Sequence, residues 1–143
     1  MTSIEGHVRK IKEHLDEMDD AIDIGIENRS VTIGFHCSAC SIEMLELYLH
    51  KANKISAGKI VKHNWFKIVH DGQKSEPLAE RMINGDFPRK NEIFGLLRKI
   101  ESKRDKLAYG KSTGEEAREV LEYFFKLKEI FSEELKKMGV EIG

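Results

Sequence analysis

The strongest periodic signal lies at the start of the chain. Ile4, Val8, Ile11, Leu15, Met18 and Ile22 recur at alternating spacings of four and three, with charged residues between them. That spacing puts them on one stripe of an α-helix. Thr2 followed by Glu5 has the form of a capping box, and Gly25 and Asn28 weaken the helix near its end. A narrow, heptad-like stripe packs nearly parallel to a partner helix. Residues 31–52 are apolar on more than one side, through Val31, Ile33, Phe35, Cys37, Ala39, Ile42, Met44, Leu45, Leu47 and Leu49. Val31–Phe35 alternates like a strand. Helix formers without turn residues follow it, so the whole segment is predicted to be a helix capped by Ser30. A helix apolar nearly all round is central in a bundle, or divides its surface between core and subunit contact.

Two more helices follow from the same logic. Ile93, Leu96, Leu97, Ile100, Arg104 and Leu107 recur at helical spacing, with Asn91 as N-cap, Glu92 in the first turn and Gly110 as the stop. Ser112 and Thr113, paired with Glu115 and Glu116, offer overlapping capping boxes for a last helix. Its inner face is Ala117, Val120, Leu121, Phe124, Leu127, Ile130, Phe131 and Leu135, and Gly139 ends it. Between the second and third long helices, residues 53–90 are punctuated by Asn53, Ser56, Gly58, Asp71, Gly72, Pro77, Gly85 and Pro88. Short helices are expected within Gly58–Val69, around Trp65 and Phe66, and within Glu76–Ile83, with Pro77 at its first position. The expectation is an all-α fold: a four-to-five-helix up-and-down antiparallel bundle in one domain spanning 1–143, with an irregular insert near 53–90.

Composition narrows the classes. A chain of 143 residues is long enough to bury a core as one domain. Its 24 basic and 25 acidic residues nearly cancel, which speaks against a strongly basic nucleic-acid binder and leaves room for a local basic patch. No apolar run is long enough to span a membrane and no secretory h-region is seen, so a cytoplasmic protein without a membrane partner is expected. Cys37 and Cys40 have zinc-type spacing next to His36, with His50 beyond, but the pair lies inside an apolar helix. They read as buried small side chains in a helix seam. His63-Asn64-Trp65-Phe66 with Lys59, Lys62 and Lys67 has the make-up of a stacking surface for single-stranded RNA. The reading preferred here is that the two aromatics plug one end of the bundle. His70-Asp71-Gly72 reads as a turn, and His7 and His14 read as solvent-facing.

The segment Ile93–Leu135 resembles the HEPN family of helical bundles. It carries Leu-Leu-x-x-Ile-Glu (Leu96–Glu101), then Arg-Asp-x-Leu-x-Tyr-Gly (Arg104–Gly110), then a capped helix. The small-residue helix His36-Cys37-Ser38-Ala39-Cys40-Ser41-Ile42-Glu43 is similar to the one HEPN proteins pack at their centre. Arg104 and Asp105 match the family's signature, whereas Tyr109 stands where its His is found. The resemblance implies a homodimer in which α-helical corners converge on a composite groove, formed here by the second helix and Arg104–Gly110. It implies metal-independent endoribonuclease chemistry without a cofactor, or an inactive partner of a nucleotidyltransferase in a toxin–antitoxin pair. Arg104 and Tyr109 become the expected catalytic residues, with Asp105 and Glu101 at the substrate and no metal ligands. The chemistry limits the expectation. Arg104 can hold a phosphate in forked geometry, but a phenol titrates near ~10 against about 6.5 for imidazole, so Tyr109 is a poor base. Weak or absent cleavage is therefore expected. A non-enzymatic helical interaction module is the alternative.

Overall fold

The structure is a computed structural model and describes residues 3–56, 58–67, 78–83, 85–109 and 114–143. Among the described residues five helices order the chain: α1 (Ile4–Ile24), α2 (Ser30–Lys51), α3 (Leu78–Met82), α4 (Lys90–Tyr109) and α5 (Gly114–Lys137). Short 3-10 turns lie at Ile26–Asn28 and His63–Phe66, and no strand occurs among the described residues. The expected all-α bundle is what forms. Cross-helix contacts give its directions. His7 meets Glu43 and His14 meets His36, so α1 and α2 run antiparallel. Gly34 lies against Leu107 and Ser38 meets Glu101, so α2 and α4 are antiparallel as well. Lys103 pairs with Glu119 and Lys106 with Glu116, which reverses α5 against α4.

α2 is the central element. Ile33, Cys37, Cys40, Met44, Leu45, Leu47, Tyr48 and Leu49 are all buried, on faces that meet α1, α4 and α5. Such a helix needs apolar residues around most of its circumference, which the sequence supplies. Small residues let its neighbours approach. A Cβ on Gly34 would stand 3.0 Å from Leu107 Cδ1 and 3.1 Å from Leu107 Cβ, so the α2–α4 contact depends on a glycine there. Cys37 and Cys40 are buried free thiols, as expected. Burial pushes Cys40 up to about 12, with Glu43 adding to the effect, and pushes Cys37 higher still. Cys37 donates to Met18 Sδ at 3.5 Å.

The described parts of the 53–90 segment close one end of the bundle. Trp65, Phe66, Ile83 and Phe87 are buried. Phe66 meets Phe94 edge-on at 5.4 Å between ring centroids, and Tyr48 lies 5.5 Å from Phe87 and 6.0 Å from Phe131. This aromatic layer joins α2, α4 and α5 to the segment. Trp65 and Phe66 are thus plugs, and Lys59 caps Trp65 with its ammonium 5.8 Å from the ring centroid.

Several local expectations change. Ser3 caps α1: its Oγ accepts from Gly6 N at 3.0 Å. Ser30 is the first residue of α2 and follows the cap position at Arg29. α4 begins at Lys90, ahead of the expected cap Asn91, because Ile93 N already donates to Arg89 O at 2.9 Å. The larger correction concerns the histidines of α1, which do not face solvent as expected. His7 is fully buried and His14 half-buried. They lie at steps of three and four from Ile4, Ile11 and Met18, so they share the inward stripe with the apolar residues. Thr2, the His70–Gly72 turn, Pro77, the Gly110 stop and the Ser112 and Thr113 caps lie outside the described residues.

Candidate functional site

The C-terminal half of α4 and the N-terminal end of α2 border an open cleft of about 740 Å³. Val31, Phe35, Lys67, Arg104, Asp105, Ala108 and Tyr109 line it. Its physical character follows from where two helices end. α2 starts at Ser30, and its first turns run past the edge of the core, leaving Val31 56% and Phe35 49% exposed. α4 continues to Tyr109, whose ring is 89% exposed. Aromatic and aliphatic surface therefore stands in solvent beside two cations, Lys67 and Arg104.

Each charged group in the cleft has an oppositely charged neighbour. Lys67 Nζ donates to Asp105 Oδ2 at 3.2 Å. Arg104 Nη1 lies 3.9 Å from Glu101 Oε2, one turn back on the same helix. That contact is long for a hydrogen bond and leaves the guanidinium donors available. Glu101 itself is only 1% exposed. Its Oε1 accepts from Ser38 Oγ at 2.5 Å and from His63 Nδ1 at 2.8 Å, and Oε2 has no hydrogen bond. A buried carboxylate needs such partners. Glu101 thus lies behind the cleft lining, not in it, and joins α2, α4 and the His63–Phe66 turn.

Of the four residues expected at the site, Arg104, Asp105 and Tyr109 share the cleft and Glu101 supports it. α4 is helical through Tyr109. A five-residue step along a regular helix turns by about 500°, so Arg104 and Tyr109 project roughly 140° apart. They border one cleft without meeting in a single chain. Sequence reasoning names His63 only within the aromatic run and Ser38 only within the small-residue helix, and it misses their shared hold on Glu101. His63 is 38 residues before Glu101 and reads with the aromatic run that follows it. Only the folding of that run onto α4 puts an imidazole and Arg104 on opposite oxygens of one carboxylate. Ser38 is fully buried, so its hydroxyl anchors Glu101 and is closed to substrate.

No helix among the described residues is long and apolar enough to cross a membrane. Comparison with protein-family models, with curated proteins and with solved structures finds no match.

Proposed function

We propose that the Arg104 cleft binds single-stranded RNA between two copies of the chain and cleaves it slowly without a metal. The observation that carries this reading is the cleft itself: Arg104, Lys67 and an exposed Tyr109 around one open space. Attack of a ribose 2′-hydroxyl on the adjacent phosphate needs a cation against the phosphate and a group that moves a proton. Arg104 supplies the first. Tyr109 offers a stacking face for a base. His63 is the better proton carrier of the two. Its Nδ1 hydrogen is held by Glu101, whose other oxygen faces Arg104, so the part-exposed ring stands beside the cleft lining. The exposed Val31 and Phe35 support a second copy as the opposite wall, which would bring Tyr109 of one chain toward Arg104 of the other. Association with a nucleotidyltransferase rests on the resemblance alone. The same apolar rim supports the second reading, a non-enzymatic interaction module.

The test is incubation of labelled single-stranded RNA with the full chain in EDTA. Cleavage to 2′,3′-cyclic phosphate ends is expected, slower by about 10²-fold in Arg104→Ala and also impaired in His63→Gln. Sedimentation should give two chains for wild type and one for Phe35→Glu. Equal cleavage in wild type and Arg104→Ala, or none in either, removes the ribonuclease; a monomeric wild type removes the composite groove.

A further inference from the structure

A second polar cluster lies at the other end of the α1–α2 pair, where the cleft chemistry plays no part. His7 on α1 and Glu46 and His50 on α2 bring one ligand atom each within 4.8 Å of one another. Glu46 and His50 are four apart, so they share a face of α2. His7 arrives from the antiparallel helix.

The hydrogen bonds decide what this cluster presents. His7 Nδ1 lies 2.6 Å from Glu43 Oε1. A carboxylate accepts, so this nitrogen carries the hydrogen. His50 Nε2 lies 3.0 Å from the backbone oxygen of Lys59, which can only accept, so that nitrogen also carries its hydrogen. With both rings neutral, the remaining nitrogens, His7 Nε2 and His50 Nδ1, each offer a lone pair, and they face each other at 3.1 Å. Two lone pairs in contact repel unless a positive species lies with them. Glu46 Oε1 stands 4.0 Å from His7 Nε2, while Glu46 Oε2 is fixed by Val61 N at 2.9 Å.

We propose that His7, Glu46 and His50 bind one divalent transition-metal cation of the zinc class. Two imidazole nitrogens and one carboxylate form a borderline ligand set that suits such ions, with a fourth position left for water. The spacing fits. Imidazoles on a tetrahedral cation at about 2.05 Å place their ligand nitrogens about 3.3 Å apart and their ring centroids about 5.2 Å apart. Here the nitrogens are 3.1 Å and the centroids 5.2 Å apart. The outer groups fit as well. A ligating histidine usually donates its other hydrogen to a carboxylate or a backbone carbonyl, and Glu43 and Lys59 O accept these hydrogens from the two rings. His7 is fully buried while His50 is half-buried, which leaves an entry path on one side. The bound ion would tie α1, α2 and the Lys59–Val61 segment together.

The test is calorimetric titration of the chelator-treated full chain with Zn²⁺ alone, with Co²⁺ absorption as a readout of coordination. One ion per chain and the visible bands of a four-coordinate Co²⁺ site are expected. Glu46→Gln keeps an acceptor for Val61 N but removes the charged ligand, and His50→Gln removes a half-exposed one. Each should weaken Zn²⁺ by tenfold or more while retaining the wild-type helical circular dichroism. Glu43→Gln should weaken it by about 10–100-fold through its effect on His7. His36→Gln, at the separate His14–His36 pair, should bind as wild type does. Absence of one-to-one binding would mean that the two rings share a proton instead. That result, unchanged affinity in both ligand variants, or loss in His36→Gln, overturns the proposal.

Discussion

His14 and His36 meet Nδ1 to Nδ1 at 2.9 Å between α1 and α2. Burial lowers the pKa of both, and for His14 the neighbouring His36 lowers it further; Lys10 acts the same way, while Glu43 and Glu13 oppose it. Glu17 and Glu13 oppose the shift of His36. A lowered pKa in the fold means that the unfolded chain binds more protons near its ordinary value of 6.5. The stabilising effect is therefore complete above about pH 6.5 and is lost as pH falls through the lower, folded values. Urea midpoints should drop between pH 7 and pH 5.5, and less steeply in His14→Gln and His36→Gln. Identical pH dependence in the variants would contradict this account of the pair. The histidines of α1 show how much residue-scale chemistry is legible. The spacing of His7 and His14 from Ile4, Ile11 and Met18 is in plain view, yet polar type points to solvent while position points inward, and position wins. The cysteines go the other way: an apolar helix around Cys37 and Cys40 correctly indicates burial. The role of His63 is found by neither route, because its partner Glu101 lies 38 residues away on α4.

At the scale of elements, α2 carries the fold, and its contact with α4 is the most exacting. Leu107 Cβ would be 3.1 Å from a Cβ at position 34, and a backbone-proximal atom cannot swing away as a chain end can. Gly34→Val should destabilise the protein by about 1–3 kcal/mol through overpacking. Leu107→Ala should itself be destabilising, and because it removes the Cδ1 atom 3.0 Å from the added Cβ, the double variant should cost less than the sum of the two, with a coupling of about 0.5–3 kcal/mol. Chemical denaturation of the four proteins checks this; strict additivity would mean that the two residues do not share the contact. Element identity is largely readable, since periodicity over twenty residues outweighs a strand-like start such as Val31–Phe35. Helix starts are less so. Arg29 and Arg89 precede the N-termini of α2 and α4, where Ser30 and Asn91 are the expected caps, because backbone bonds and neighbouring turns select among adjacent candidates.

For the whole molecule, charge near zero hides a local arrangement. Glu101 is withdrawn into the core, and Asp105 partners Lys67, so Arg104 keeps donors facing an open cleft. The bundle is legible because it follows from three amphipathic patterns around one helix apolar nearly all round; the cleft is not, because it depends on where α2 and α4 end relative to each other. The most direct measurement is fluorescence anisotropy of a short single-stranded RNA titrated with the full chain across a range of salt. EDTA is kept present so that any cation at His7 and His50 takes no part. Wild type should bind with an affinity that falls as salt rises. Arg104→Ala should weaken binding by about tenfold or more, and flatten the salt dependence by roughly 0.7 in log–log slope for each phosphate that the variant no longer neutralises. Equal affinity and equal slope in the two proteins, or no binding by wild type at low salt, would contradict the proposal that this cleft binds RNA.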